Sequence, residues 1–124
     1  MSNKILVISD THFSKDNQLL FGKYDVEKSF ENIFQDMKTE NPDYVLILGD
    51  ISNDGSIESY QKIKNYLLQL PGYKYAIMGN HDSFNISKML CDSILMTDFL
   101  DIENHRFIFL SSYNCSIFLL LSRE

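Results

Sequence analysis

Three short polar words interrupt this chain, Asp10-Thr11-His12, Gly49-Asp50 and Gly79-Asn80-His81-Asp82, and each follows an apolar run. Their side chains are the types that hold divalent cations: carboxylate, imidazole and a neutral amide oxygen. Asp10 and His12 stand two apart, so a chain that stays extended there points both side chains the same way, toward one ion. Asp50 offers two oxygens, enough to bridge two cations, and Gly49 before it permits close backbone approach. Asn80 adds a carbonyl oxygen, and His81 an imidazole beside Asp82, which could orient it. Two divalent cations about 3.5 to 4 Å apart can share a hydroxide and clamp a phosphoryl group for in-line displacement. Metal-assisted hydrolysis of a phosphate ester is the chemistry these residue types suit. Taken alone, Asp10 and His12 read as a turn aspartate and a surface histidine, and the other two words as tight turns in which Gly49 and Gly79 serve backbone geometry.

What favours a site is where the words fall. Residues 4–9 are an apolar, β-branched run of strand length. After a polar loop, Val26, Phe30, Ile33, Phe34 and Met37 recur at helical spacing, and Asn41-Pro42 ends that helix. Residues 44–48 form a second buried strand. Ser56 is an N-cap with Glu58 in the first turn, and Ile57, Tyr60, Ile63, Leu67 and Leu70 continue a second helix that Pro71-Gly72 closes. Residues 73–78 are a third strand. The order is βαβαβ, which with right-handed crossovers makes a parallel sheet covered by helices. Such sheets bind ligands outside the carboxyl ends of their strands, and all three polar words lie there. The loop from Thr11 to Tyr24 either covers a substrate or simply connects. Lys62 and Lys64 read as the solvated face of the second helix, and His105 as a surface residue.

Composition narrows the classes. A chain of 124 residues, 44% of them hydrophobic, suits a single core. The formal net charge of −6, with Lys and Arg scattered, argues against a surface that coats nucleic acid. It does not exclude a phosphate ester, because a bound cation supplies local positive charge. Cys91 and Cys115 have no metal-ligand spacing and read as reduced, mostly buried thiols. The first apolar run is too short for a secretory signal, and residues 107–121 are interrupted by Ser111, Ser112, Asn114 and Ser116, short of the ~20 residues of a membrane span. The expectation is a soluble, cytoplasmic protein with no membrane partner.

The three words, in this order and near these intervals, resemble those of the calcineurin-like metallophosphoesterases. The segment Gly49-Asp50-Ile51-Ser52-Asn53-Asp54-Gly55-Ser56-Ile57-Glu58-Ser59-Tyr60 is similar to that of class III cyclic nucleotide phosphodiesterases, in which a GD word precedes a DG pair and a helix carrying a tyrosine. The resemblance covers roughly residues 4–111. It implies a fold of four α/β/β/α layers, of which this chain carries the βαβαβ N-terminal half. It assigns Asp10 and His12 to a first metal, Asp50 to a bridge and Asn80 to a second metal. It makes His81 the group that protonates the leaving oxygen or stabilises charge on the transferred phosphoryl group. Two divalent ions, Mn, Fe or Zn, are the implied cofactors, and a small phosphodiester or phosphomonoester, a cyclic nucleotide in preference, the implied substrate.

The family's sites also take a histidine from a later GH word and two more from a GHxH word, and neither word is present. Only three histidines exist, and His105 stands between Asn104 and Arg106. At most partial metal occupancy is therefore expected. Residues 1–111 read as the N-terminal half of the domain, with a short helix near 87–91 and a strand at 106–111. Residues 112–124 read as an atypical tail, consistent with truncation or a frame disruption near residue 112. A chain stopped there would expose an apolar sheet face and invite self-association. Three functions remain open at this point: a phosphoesterase, an inactive metal-binding remnant, and a non-catalytic interaction module.

Overall fold

A computed structural model describes residues 2–113. The elements run β1 (Ile5–Ile8), α1 (Val26–Thr39), β2 (Tyr44–Leu48), α2 (Ile57–Leu67), β3 (Tyr73–Ile77), a 3₁₀ turn (Phe84–Lys88), β4 (Ile94–Met96), β5 (Phe99–Ile102) and β6 (His105–Ile108). The predicted βαβαβ order is present, and the mixed α/β class with it. β1, β2, β3 and β4 form one parallel sheet in that order, with Ile8 beside Ile47 and Leu48 beside Ile77. The strand expected at 106–111 begins earlier and pairs antiparallel with β5 in a separate hairpin, where Arg106 forks onto the Asp101 carboxylate at 2.7 Å. The short helix expected at 87–91 lies instead at Phe84–Lys88, because Ser83 caps it by accepting from the Asn85 N–H. The expectations for Cys115 and for residues 114–124 lie outside the described residues; Cys91 is a free, half-buried thiol.

Local chemistry explains the helix ends. Asp25 caps α1 through its carboxylate on the Lys28 N–H, and Asn41 takes a left-handed φ of 49° just before Pro42. Ser56 caps α2 by accepting from the Ser59 N–H. The helices bury Phe30, Phe34, Met37, Tyr60, Ile63 and Leu67 against Ile8, Val45, Ile47, Ala76 and Ile94 of the sheet. Ile33, expected in the buried stripe, is exposed, since at 100° per residue it lies roughly 65° from the line through Phe30, Phe34 and Met37. Ile57 is also exposed, at the first turn of α2.

The loop after β1 begins as core. Phe13 is fully buried, bridges to Ser52 and packs edge-on against Phe30 at 5.3 Å. Lys62 is not a solvated lysine: its ammonium donates to the Ser14 carbonyl at 2.9 Å and to Glu27 at 3.2 Å, tying this loop to both helices. Val7 and Leu95, on the sheet face away from the helices, are exposed, whereas Leu46 between them is buried. Among the described residues no helix is long and apolar enough to cross a membrane.

Candidate metal centre

The parallel register brings the three polar words side by side at the carboxyl edge of the sheet, and backbone hydrogen bonds stitch the first two together. The Asp10 N–H donates to Gly49 O at 3.1 Å, His12 N–H to Asp50 O at 2.9 Å and Phe13 N–H to Ile51 O at 2.9 Å. Returning across the seam, Asn53 N–H donates to Phe13 O at 2.8 Å. This seam overturns the expectation that residues 10–12 stay extended. Asp10, His12 and Asp50 take φ values of 56°, 47° and 45°, the left-handed region that costs an L-residue on the order of 1 kcal/mol and that clusters at functional sites.

The side chains converge despite the changed backbone. His12 Nε2 lies 3.7 Å from Asp50 Oδ2 and 3.9 Å from Asp10 Oδ1, and one ligand atom from each residue falls within 4.8 Å of the others. Among the described residues this is the one group of three His, Cys, Asp or Glu side chains close enough to share an ion. His12 and Asp50 are half-buried and Asp10 is exposed, with Ser9 Oγ against its second oxygen. The third word reaches the same place: His81 N–H donates to Asp50 Oδ1 at 2.9 Å, and the His81 ring meets the His12 ring edge-on at 5.1 Å. Asn80 is exposed in the turn between Gly79 and His81. His105, exposed on β6, does not belong to the group.

Asp82 plays a different part from the one its position beside His81 suggested. It is buried, and its carboxylate accepts from Gly79 N–H at 2.8 Å, Ser52 N–H at 3.0 Å, Ile51 N–H at 3.3 Å and the Tyr60 hydroxyl at 2.8 Å. The Ile51 and Ser52 donors bind the third word to the loop that carries Asp50 and the Tyr60 donor binds it to α2, while Nδ1 of His81 faces the Asn53 carbonyl instead, at 3.4 Å. Tyr60 is fully buried and its hydroxyl in turn accepts from Ser83 N–H at 2.9 Å. Burial, reinforced by the Asp82 carboxylate, pushes the Tyr60 phenol well above its usual range, so it remains a donor.

Sequence reasoning singled out neither Asn53 nor the serine-rich turn after it as parts of the site. Asn53 Oδ1 lies 3.1 Å from Nδ1 of His12. Asp54 organises the turn: burial would raise its carboxyl, but hydrogen bonds from the Lys15 N–H, the Ser56 hydroxyl and N–H, and the Ser52 hydroxyl outweigh it and bring the pKa to about 2. Gly55 O accepts from Ser83 Oγ at 2.7 Å and Asn85 Nδ2 at 2.9 Å, closing the turn onto the third word. The available signal was compositional: six Ser, Asn and Asp side chains among the ten residues from Asp50 through Ser59.

Residues 3–121 match the family model of the calcineurin-like phosphoesterases. The chain belongs to this family. A probable cyclic nucleotide phosphodiesterase of Synechococcus is 30% identical over 115 residues, which is 91% of this chain and 45% of the relative. The 3′,5′-cyclic adenosine monophosphate phosphodiesterase CpdA of Pseudomonas aeruginosa is 30% identical over 112 residues, 87% of this chain and 41% of that protein. A glycerophosphodiester phosphodiesterase GpdQ of Enterobacter lignolyticus is 39% identical over 77 residues, 60% of this chain and 28% of that protein. The chain spans less than half the length of these curated relatives. In fold it is similar to a protein of unknown function from Aquifex aeolicus, with a TM-score of 0.51 at 24% identity over 85% of this chain and 58% of that one.

Calcineurin-like phosphoesterases are hydrolases that use divalent metals, and the donors here fit such an ion. Two ligand atoms each about 2.1 Å from one cation, at octahedral to tetrahedral angles, stand roughly 3.0 to 3.4 Å apart. The 3.7 and 3.9 Å separations around His12 Nε2 need to contract by a few tenths of an ångström to reach the tetrahedral spacing and by less than about 1 Å to reach the octahedral one. Oxygen and imidazole donors suit several first-row ions.

Proposed function

We propose that this chain supplies the first half of the active site of a metal-dependent phosphodiesterase acting on a small phosphodiester, with a cyclic nucleotide as the favoured substrate. The observation that carries the reading is the convergence of Asp10, His12 and Asp50 within 4.8 Å, with His81 held against Asp50. Asp10 Oδ1, His12 Nε2 and Asp50 Oδ2 would hold the first ion, and Asp50 together with Asn80 would face a second. When bound, such ions polarise the phosphoryl group and activate water at neutral pH. His81, exposed and anchored at its backbone, serves the leaving oxygen or the developing phosphoryl charge. Asp82 holds the loops that carry these groups in place.

The substrate class rests on the relatives. Those named for cyclic nucleotides and those named for glycerophosphodiesters agree on a phosphodiester. Two relatives named for cyclic nucleotides align over 91% and 87% of this chain. Four others so named align over 63% to 67% of it, and the two glycerophosphodiester relatives over 64% and 60%, so the two long alignments carry the preference. With Mn²⁺ present, the expected result is slow conversion of 3′,5′-cyclic AMP to AMP, faster than hydrolysis of glycerophosphocholine or p-nitrophenyl phosphate. Asp50→Ala should lower that rate by roughly 100-fold or more, beyond the 10- to 100-fold typical of groups that only support a ligand. A preference for glycerophosphocholine would overturn the cyclic nucleotide assignment. An ion bound without turnover would place the chain with an inactive remnant, the reading favoured by a single three-residue donor group among the described residues.

A further inference from the structure

Both site histidines turn the same ring nitrogen toward one residue. Nδ1 of His12 lies 3.1 Å from the side-chain carbonyl oxygen of Asn53, and Nδ1 of His81 lies 3.4 Å from its main-chain carbonyl oxygen. A carbonyl oxygen accepts and never donates, so the hydrogen sits on Nδ1 of His81 and, with the Asn53 amide oriented as it stands, on Nδ1 of His12. In a neutral imidazole Nε2 is then the bare nitrogen.

For His12 that nitrogen is the one facing Asp50 Oδ2 and Asp10 Oδ1, at 3.7 and 3.9 Å. A hydrogen on Nε2 would draw a carboxylate in to about 2.8 Å. The observed separations exceed a charge-assisted hydrogen bond, and a lone pair set against two carboxylates suits a cation between them. Asn53 is itself well anchored. Its N–H donates to the carbonyl of Phe13 at 2.8 Å, and Phe13 is fully buried beneath the site. The aromatic core therefore holds the residue that selects the tautomer.

We propose that Asn53 is a positioning residue that fixes His12 and His81 in the Nδ1–H tautomer, presenting Nε2 of His12 to a divalent cation and leaving Nε2 of the exposed His81 open to a ligand. Its side chain sets one histidine and its backbone the other, so substitution separates the two effects. The cation half of this statement rests on the metal-site reading above; the tautomer half stands on the hydrogen bonds alone.

Long-range ¹⁵N–¹H correlation spectra of the ion-free, ¹⁵N-labelled chain at about pH 8.5 read each tautomer directly. His12 and His81 are expected as Nδ1–H, with exposed His105 as the reference for an unpinned ring. Asn53→Leu should release His12 into a tautomer mixture and leave His81 unchanged, because the backbone carbonyl remains. Asn53→Asp, which keeps an acceptor, should retain both. Mn²⁺ affinity, measured by titration calorimetry, should fall about 10- to 100-fold in Asn53→Leu and stay within a few-fold in Asn53→Asp. His12 found as Nε2–H in the unsubstituted chain would overturn the proposal, as would an Asn53→Leu chain with unaltered tautomer and affinity. If the unsubstituted chain takes up no Mn²⁺, the metal-site reading fails while the spectrum still decides the tautomers. If Asn53→Leu does not fold, the spectra of the unsubstituted and Asn53→Asp chains decide it.

Discussion

Asp82→Ala is expected to cost about 3 to 5 kcal/mol of folding stability, more than any other single side-chain truncation at the carboxyl edge of the sheet. The carboxylate is buried and accepts from three backbone N–H groups and the Tyr60 hydroxyl. Its removal strands all four donors away from water, and an unpartnered buried donor costs far more than an average hydrogen bond contributes. Urea and thermal unfolding measure the effect, and the midpoint temperature should fall by more than about 10 °C. Tyr60→Phe leaves the Asp82 carboxylate with three donors but also takes the acceptor from the Ser83 N–H, so about 1 to 2 kcal/mol is expected there. An Asp82→Ala chain within 1 kcal/mol of the unsubstituted one would show that the two loops are held by something other than this clamp.

Gly79→Ala should damage stability and ion binding together. Gly79 has no positive φ to demand glycine; what it lacks is space, because a Cβ there would collide with the backbone nitrogen and Oδ1 of Asp50. Backbone atoms cannot swing aside as a flexible side chain can, so relief requires moving Asp50 or the third word itself. Overpacking of this kind costs about 1 to 3 kcal/mol, and a collision with main chain belongs at the upper end. Since the displaced residue is a proposed ligand, divalent-ion affinity should fall by at least about 10-fold, in line with losses seen when a ligand is misoriented. Gly22→Ala is the matched control: its φ is 66° but nothing lies within 4 Å of the added carbon, so about 1 kcal/mol and unchanged ion affinity are expected. Equal effects at the two positions would contradict a steric origin for the Gly79 defect.

What the sequence made legible follows the range of the forces involved. β2 appears at the residues its apolar run marks, and the caps and breakers at Ser56, Asn41 and Pro42 act where their short-range chemistry places them. The gathering of Asp10, His12, Asp50 and His81 was also legible, because the βαβαβ order alone brings consecutive strand ends together. β4, three residues long, and β5, with Asp101 in its middle, carry too little periodicity to announce themselves. The left-handed backbone at residues 10 and 12 is set by hydrogen bonds to residues 49 and 50, and the role of Asp82 by partners some thirty positions earlier. Lys62 finds Ser14 and Glu27 only once the helices have packed. Local pattern located the site, whereas the contacts that orient each group within it are long-range and became visible only in three dimensions.

The most direct test is a calorimetric titration of the ion-free chain with Mn²⁺, repeated on Asp50→Ala and His12→Ala. Saturable uptake of at least one ion per chain is expected, with a matching rise in unfolding temperature as bound ion stabilises the native state. Both substitutions should abolish uptake while leaving the chain folded. No saturable binding by the unsubstituted chain, or equal affinity in Asp50→Ala, would contradict the assignment of Asp10, His12 and Asp50 as a metal centre.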